Sequence, residues 1–170
     1  MTNTGNYPLW GQLQDAEQTE SQVTTGKARI LIVEDDTPLA MMMVHVLSCA
    51  SCDVLVANTG KKGLEFAQEN RFDLIALDTD LPDINGLEIC SELKQRHLSR
   101  HTPVIFVSGR IGEQDVERGL EVGAVDYIEK PFEMTDFVFR IISHVKTKNC
   151  SSNILDENTN TNAQSLCNTP

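Results

Sequence analysis

The sequence predicts an α/β domain in which a parallel β-sheet is covered by helices on both faces. Three observations support this prediction. Short apolar runs alternate with amphipathic helical patterns, five of each; the connections between them are short; and polar residues follow most of the apolar runs directly. Strands with continuous apolar sequence are typical of parallel sheets that are buried on both sides.

The first strand pattern covers residues 29–33, and an amphipathic helix follows it. Thr37 suits the N-cap of this helix and Pro38 its first position. Four apolar residues share one face of the helix at helical spacing: Leu39, Met43, Val46 and Leu47. Met41 and Val44 point away from that face, so we expect two apolar side chains on the surface of the helix.

The middle of the chain contributes two strands and two helices. Residues 53–57 alternate as a strand, 60–69 form a short helical pattern, and 74–77 are an apolar run that ends at Asp78. The next helix is predicted over 87–97, and its inward residues are Leu87, Cys90 and Leu93.

Two more strands and two more helices complete the alternation. Residues 104–107 form a strongly apolar strand, and 125–129 form the last one. Helices are predicted over 115–122 and about 135–146. The first of these helices carries Val116 and Leu120 on one side. The second places Phe137, Ile141 and Val145 inward.

Composition divides the chain into three parts. Residues 1–26 and 149–170 are mostly polar, which is typical of disordered tails, whereas all 14 Lys and Arg lie within the predicted domain, 27–148. The aromatic cluster at 7–10 is the one group in the first tail able to anchor it. We leave open whether this cluster is a docking peptide or part of an ordinary tail.

Charge and cysteine usage limit the classes of function. A net charge of −11 argues against nucleic acid or an anionic membrane surface as a ligand, and no run approaches the roughly 18 apolar residues of a membrane helix. The polar N-terminus is no secretory signal. Five irregularly spaced cysteines fit the reducing cytoplasm. We interpret the C-x-x-C formed by Cys49 and Cys52 as a coincidence at a helix end, because basic or aromatic redox neighbours are missing.

Polar residues that follow four of the strands identify a candidate site. They are Glu34 and Asp35, then Asp78, then Ser108, then Lys130. Right-handed crossovers bring the ends of several parallel strands to one edge, where carboxylates repel one another. Mg²⁺ relieves such repulsion in a site with few protein ligands. With a lysine and a hydroxyl beside it, this arrangement predicts a phosphoryl-group site whose carboxylate is able to act as the nucleophile.

These residues resemble the receiver domain of two-component response regulators. The resemblance covers about residues 28–147 and depends on landmarks in this order: Glu34-Asp35, Asp78, Pro82, Gly86, Ser108-Gly109, Gly123-Ala124 and Lys130-Pro131. It implies a flavodoxin-like (βα)5 fold with strand order 2-1-3-4-5. Because 22 mostly polar residues follow Lys148, we expect a stand-alone receiver.

The resemblance implies a role for each residue of the carboxylate pocket. Asp78 is the phosphoacceptor. The side chains of Asp35 and Asp78 and the backbone carbonyl of Asp80 bind Mg²⁺, Glu34 acts through water, and Lys130 is the cation on the phosphoryl group.

Further expectations concern the switch and the entry path of the phosphoryl group. Ser108 is the switch hydroxyl, and Tyr127 is the aromatic residue whose rotamer follows it. The Lys130-Pro131 bond is cis, and Gly109 keeps the entry path clear. Asp80 and Arg110 flank the path of an attacking water.

The partners follow from the same resemblance. The phosphodonor is a sensor histidine kinase or a phosphotransfer protein, the output partner is another protein, and the domain is a regulator and not an enzyme. The first helix contributes to the kinase contact. Met41 and Val44 therefore either belong to a docking patch or fill irregular gaps.

Two other interpretations stay open at this point. Asp78-Thr79-Asp80 resembles the Asp-x-Asp motif of haloacid-dehalogenase-type phosphatases, in which the second Asp is the general acid/base. In that family, however, the motif follows the first strand, and this chain has no room for a cap domain. The other interpretation is a pseudo-receiver, a binding module that is never phosphorylated.

Overall fold

The five strand patterns form one parallel sheet in the computed structural model, which describes residues 26–109 and 112–157. The strand order is β2-β1-β3-β4-β5, as the resemblance implied. The strands are β1 (Arg29–Val33), β2 (Asp53–Ala57), β3 (Leu74–Asp78), β4 (Val104–Ser108) and β5 (Asp126–Glu129). Since β3 lies between β1 and β4, the residues that follow it are surrounded by neighbouring strand ends.

Five helices cover the two faces of the sheet: α1 (Thr37–Cys49), α2 (Gly60–Glu69), α3 (Gly86–Gln95), α4 (Glu113–Glu121) and α5 (Met134–Glu157). One face carries α1 and α5, whose buried residues join a single apolar cluster: Met43, Leu47, Phe137, Ile141 and Val145. The opposite face carries α2 and α3, which contribute Leu64, Ala67, Ile89, Cys90 and Leu93. The inward face predicted for the last helix is therefore confirmed.

The start of α1 differs from the prediction, because its N-cap is Asp36 and not Thr37. The Asp36 carboxylate accepts a hydrogen bond of 3.0 Å from the Leu39 N–H, while Thr37 and Pro38 are the first two helical residues. Proline is compatible with the whole first turn, so it does not fix the cap at the residue before it. Val44 was expected outside, but it packs against the α1/α5 cluster.

The inward residues predicted for α3 are confirmed: Cys90 and Leu93 are buried, and Leu87 packs against the same cluster, partly buried. Ile89, which was not predicted, is fully buried as well. In α4, Leu120 is 54% exposed, and Gly119 lies against the sheet in its place. A Cβ at Gly119 would lie 3.1 Å from the ring of Phe106. The missing side chain lets the helix approach the sheet closely, which turns its larger neighbour outward.

The last helix is longer than predicted, since α5 continues to Glu157 instead of ending near residue 146. No Pro or Gly interrupts residues 134–157, so nothing in the local sequence breaks the helix, which enters the range assigned to the C-terminal tail. The remainder of both predicted tails, 1–25 and 158–170, and also Arg110 lie outside the described residues. Across the described part of the chain, no helix is both long and apolar enough to cross a membrane.

Candidate functional site

Asp78 is the last residue of the central strand, and its position follows from the sheet. The register pairs Val33 with Leu77 and Asp78 with Val107, so the residues after β1, β3 and β4 emerge side by side. The side chain of Asp78 is buried, with the residue only 5% exposed. Gly86 closes the loop after it: a Cβ there would lie 2.5 Å from the Asp78 carbonyl oxygen. Only glycine permits this close approach of the two backbones.

Lys130 contacts both buried carboxylates of the pocket. Its Nζ lies 2.8 Å from Asp78 Oδ2 and donates a hydrogen bond of 2.8 Å to Glu34 Oε1. Burial alone lowers the pKa of Lys130, but its hydrogen bonds with Asp78 and Glu34 raise the pKa above the ordinary lysine value. The ammonium is therefore held in its charged form at the end of β5. The Lys130-Pro131 bond that follows is cis, as the resemblance implied.

Glu34 is the most deeply buried carboxylate of the site, at 1% exposed. Burial raises its pKa to about 7; the Lys130 hydrogen bond opposes this shift, and the charge of Asp78 adds to it. Glu34 Oε2 lies 2.8 Å from Lys130 Nζ as an ion pair, but no described residue donates a hydrogen bond to it. A buried carboxylate oxygen that accepts no hydrogen bond has room to bind a divalent cation or the water of one.

The carboxylates of the pocket fit a divalent cation. Glu34, Asp35 and Asp78 each offer one oxygen, and these oxygens lie within 4.8 Å of one another. Asp35 is exposed, so a cation would be open to water on one side. One lysine cannot neutralise three carboxylates, and hard oxygen donors with water positions left open suit Mg²⁺.

Asp80 contacts Asp78 through its backbone. The Asp80 N–H donates a hydrogen bond of 2.9 Å to Asp78 Oδ1, whereas its own side chain is exposed. The Asp78 carboxylate is thus held at one oxygen by this N–H and at the other by Lys130. The predicted role of the Asp80 carbonyl as a metal ligand stays a prediction.

The fourth strand brings Ser108 to the same edge, where it is fully buried. Sequence reasoning missed its contact with Thr79, whose hydroxyl donates to Ser108 Oγ at 2.6 Å. The signal in the sequence was a hydroxyl residue directly after Asp78, but the direction in which the Thr79 side chain points depends on the path of the loop. The Tyr127 ring lies 6.0 Å from that of Phe106 and tilted against it. A Cβ at Gly109 would have no atom of the described, non-adjacent residues within 4 Å.

Asp83 is a second residue whose role sequence reasoning missed. Its carboxylate accepts hydrogen bonds of 2.8 and 2.9 Å from the N–H groups of Gly60 and Lys61, at the start of α2. These bonds lower the pKa of Asp83, the Lys61 bond most of all. The acidic residue therefore joins the loop after β3 to a helix N-terminus and is not a member of the carboxylate pocket.

Comparison with known proteins identifies the same domain. The family model of the response regulator receiver domain matches residues 30–142. The response regulator ArlR of Staphylococcus saprophyticus is 43% identical over 113 residues, which are 66% of this chain and 50% of that protein. The chain thus spans about half the length of the curated relatives that it matches.

Two solved structures show the same fold. A CheY-like response regulator receiver domain protein from Methanospirillum hungatei has a TM-score of 0.70 at 28% identity, covering 74% of this chain and 99% of that chain. The chemotaxis response regulator CheY4 of Vibrio cholerae has a TM-score of 0.65 at 27% identity, covering 70% and 98%. Fold, edge geometry and family model agree: the chain belongs to the response regulator receiver family of two-component systems.

Proposed function

We propose that Asp78 accepts a phosphoryl group from a phosphohistidine of a sensor kinase or phosphotransfer protein. The observation that carries the proposal is the position of Lys130, whose Nζ lies 2.8 Å from Asp78 in an otherwise acidic pocket. A cation beside a buried carboxylate attracts an incoming anion that the carboxylates alone would repel. A magnesium site and a phosphorylated aspartate are typical of the family.

Three groups of this chain would take part directly in the transfer of the phosphoryl group: the Asp78 carboxylate, the Lys130 ammonium and the Asp80 N–H. One oxygen of Asp78 forms the new bond to phosphorus, while the bond from phosphorus to the histidine nitrogen breaks and the imidazole leaves with the electron pair. Lys130 lies where negative charge collects on the phosphoryl oxygens. The Asp80 N–H fixes the orientation of the attacking carboxylate, which reduces the entropy lost on reaching the transition state.

Glu34, Asp35 and Asp78 would hold the Mg²⁺ ion, and their spacing supports this assignment. When bound, Mg²⁺ neutralises part of the charge on the non-bridging phosphoryl oxygens. The buried Glu34 oxygen without a hydrogen-bond partner would then face a cation or its water.

The output is a changed protein surface. Ser108 would follow the phosphoryl group and Tyr127 would fill the space that it leaves, so that α4, β5 and α5 present a different face to a partner protein. A few kcal/mol of differential contact is enough for such a shift. The chain would act as a regulator that catalyses only its own phosphorylation and dephosphorylation, with a protein and not nucleic acid as its partner.

Acetyl phosphate labelling tests the proposal. With Mg²⁺ we expect one acid-labile phosphoryl group per chain, detected by intact-protein mass spectrometry, and none after chelation of the metal. Asp78→Asn should abolish the label, whereas Glu88→Gln, at an exposed carboxylate in α3, should leave it unchanged. Labelling that persists in Asp78→Asn would refute the assignment of the acceptor. A complete absence of labelling would favour the pseudo-receiver, and repeated turnover of a phosphate ester would favour the phosphatase.

A further inference from the structure

An apolar groove runs between α1 and α5, away from the carboxylate pocket. It has a volume of about 480 Å³ and is lined chiefly by Val46 of α1 and by Val138, Phe139 and Ile142 of α5. The Ser143 hydroxyl at its edge donates to the Phe139 carbonyl at 2.8 Å, so this polar group is already engaged within the helix. The groove therefore offers almost only apolar surface, within the size range of about 300–1,000 Å³ that is typical of binding pockets.

Both helices that border the groove carry exposed large apolar side chains. Phe139, which lines the groove, is 71% exposed, and Met42, one helical turn before the lining residue Val46 of α1, is 53% exposed. Exposed apolar surface of this kind next to an apolar groove gains free energy when it is covered.

We propose that the segment Tyr7-Pro8-Leu9-Trp10 of the same chain docks in this groove. Among the two terminal stretches outside the described residues, 1–25 and 158–170, it is the only run of adjacent large apolar side chains; the second stretch has a single large aliphatic residue, Leu166. An aromatic and aliphatic cluster of this kind matches the chemistry of a groove lined by Val, Phe and Ile.

The stretch of chain between the segment 7–10 and the folded domain is long enough to allow this contact. Ala28, where the chain enters the described fold, packs against the same α1/α5 cluster as Val46, Val138 and Ile142. The residues that join Trp10 to Gly26 span up to roughly 50 Å when extended, which exceeds the radius of a domain of this size several times. A tethered segment binds its own domain at an effective concentration on the order of millimolar, so a weak contact is sufficient.

Charge distinguishes this groove from a second shallow groove among the described residues. Residues 1–25 contain three acidic residues and no Lys or Arg, and α1 has no acidic or basic residue other than His45. On α5, the nearby Asp136 is paired with Arg140 at 2.9 Å. That second groove, along α3, is lined by Glu88 and Glu92. Glu92 is paired with Arg96, but Glu88 would repel an acidic segment.

The single tryptophan of the chain, Trp10, reports directly on this contact. In the chain of residues 1–170, without any phosphodonor, we expect blue-shifted Trp10 emission and quenching by acrylamide that is several-fold weaker than in urea. Phe139→Asp should restore strong quenching; Leu120→Asp, at a similarly exposed residue of α4, should not. Leu9→Asp should have the same effect as Phe139→Asp, and it leaves every residue of the folded domain unchanged.

The protection should be independent of protein concentration, because the contact is within one chain. Trp10 emission and quenching equal to those in urea would overturn the proposal. Protection that appears only at high concentration would overturn it in favour of a second copy as the occupant, and equal loss in Leu120→Asp would show that the groove is not the site. These measurements involve no phosphoryl transfer, so the docking is tested separately from the function of Asp78.

Discussion

The Thr79 hydroxyl donates a hydrogen bond to Ser108 Oγ at an oxygen-to-oxygen distance of 2.6 Å, which joins the loop after β3 to the end of β4. Ser108 is fully buried, so this bond lies in a region where hydrogen bonds are well shielded from water. Thr79 follows the proposed acceptor directly. The resting position of the proposed switch hydroxyl is therefore set in part by the residue next to Asp78.

Replacing Thr79 tests this relationship. Thr79→Val keeps the shape of the side chain but removes the donor, and we expect the free energy of unfolding to fall by about 1 kcal/mol, the typical net value of one hydrogen bond. Thr79→Ser should restore most of it. Because the bond holds Ser108 in its resting position, a phosphoryl mimic such as beryllofluoride with Mg²⁺ should stabilise Thr79→Val more than the wild type in urea denaturation. Equal stabilisation of both proteins would show that the bond survives the switch.

Gly86 and Gly109 form a matched pair for a steric test. A Cβ at Gly86 would lie 2.5 Å from the Asp78 carbonyl oxygen and 2.7 Å from Thr79 Cα, and neither backbone atom is able to move aside without displacing Asp78. We expect Gly86→Ala to cost about 1–3 kcal/mol of stability and to slow acetyl phosphate labelling. The new methyl group of Gly109→Ala meets no atom of the described residues within 4 Å, so denaturation by urea should show no comparable steric loss. Similar losses in both variants would contradict the close approach at Gly86.

Repulsion among the pocket carboxylates predicts that Asp35→Asn changes stability in opposite directions without and with Mg²⁺. Asp35→Asn removes one of three clustered charges, so without divalent metal the variant should be more stable than the wild type. With Mg²⁺ the difference in stability between the variant and the wild type should shrink or reverse, because the variant has lost a metal ligand. Thermal unfolding with and without a chelator measures both effects. A variant that gains as much stability from Mg²⁺ as the wild type would remove Asp35 from the metal site.

Cys90 should be chemically inert in the folded protein. Burial raises the pKa of its thiol to about 11, and the nearby charge of Lys94 reduces that shift only in part. Since only the thiolate reacts, roughly one thiol in a thousand is ionised at pH 8, and the side chain is also fully buried. Iodoacetamide followed by peptide mass spectrometry should label the exposed Cys49 in native buffer and Cys90 only in denaturant. Labelling of Cys90 at the rate of Cys49 would show that this face of α3 opens.

Several features of the protein were determined by short stretches of sequence. The apolar run that ends at Asp78 predicted β3 and placed the proposed acceptor at its end, and Gly60–Glu69 was predicted to the residue as α2. Such elements depend on local periodicity and on turn residues, and both are visible in a single sequence. The convergence of Glu34, Asp78 and Lys130 also followed from sequence, because the strand ends of a parallel sheet share one edge.

Only the tertiary structure decided the contacts between those ends. Lys130 and Asp78 are 52 positions apart, Thr79 and Ser108 are 29 apart, and each pair meets at a distance set by strand register and loop path, which periodicity does not encode. The outward turn of Leu120 likewise depends on how closely Gly119 approaches Phe106. Local sequence thus chose the elements and their common edge, whereas the packing of distant elements chose which hydroxyls, carboxylates and apolar side chains face one another.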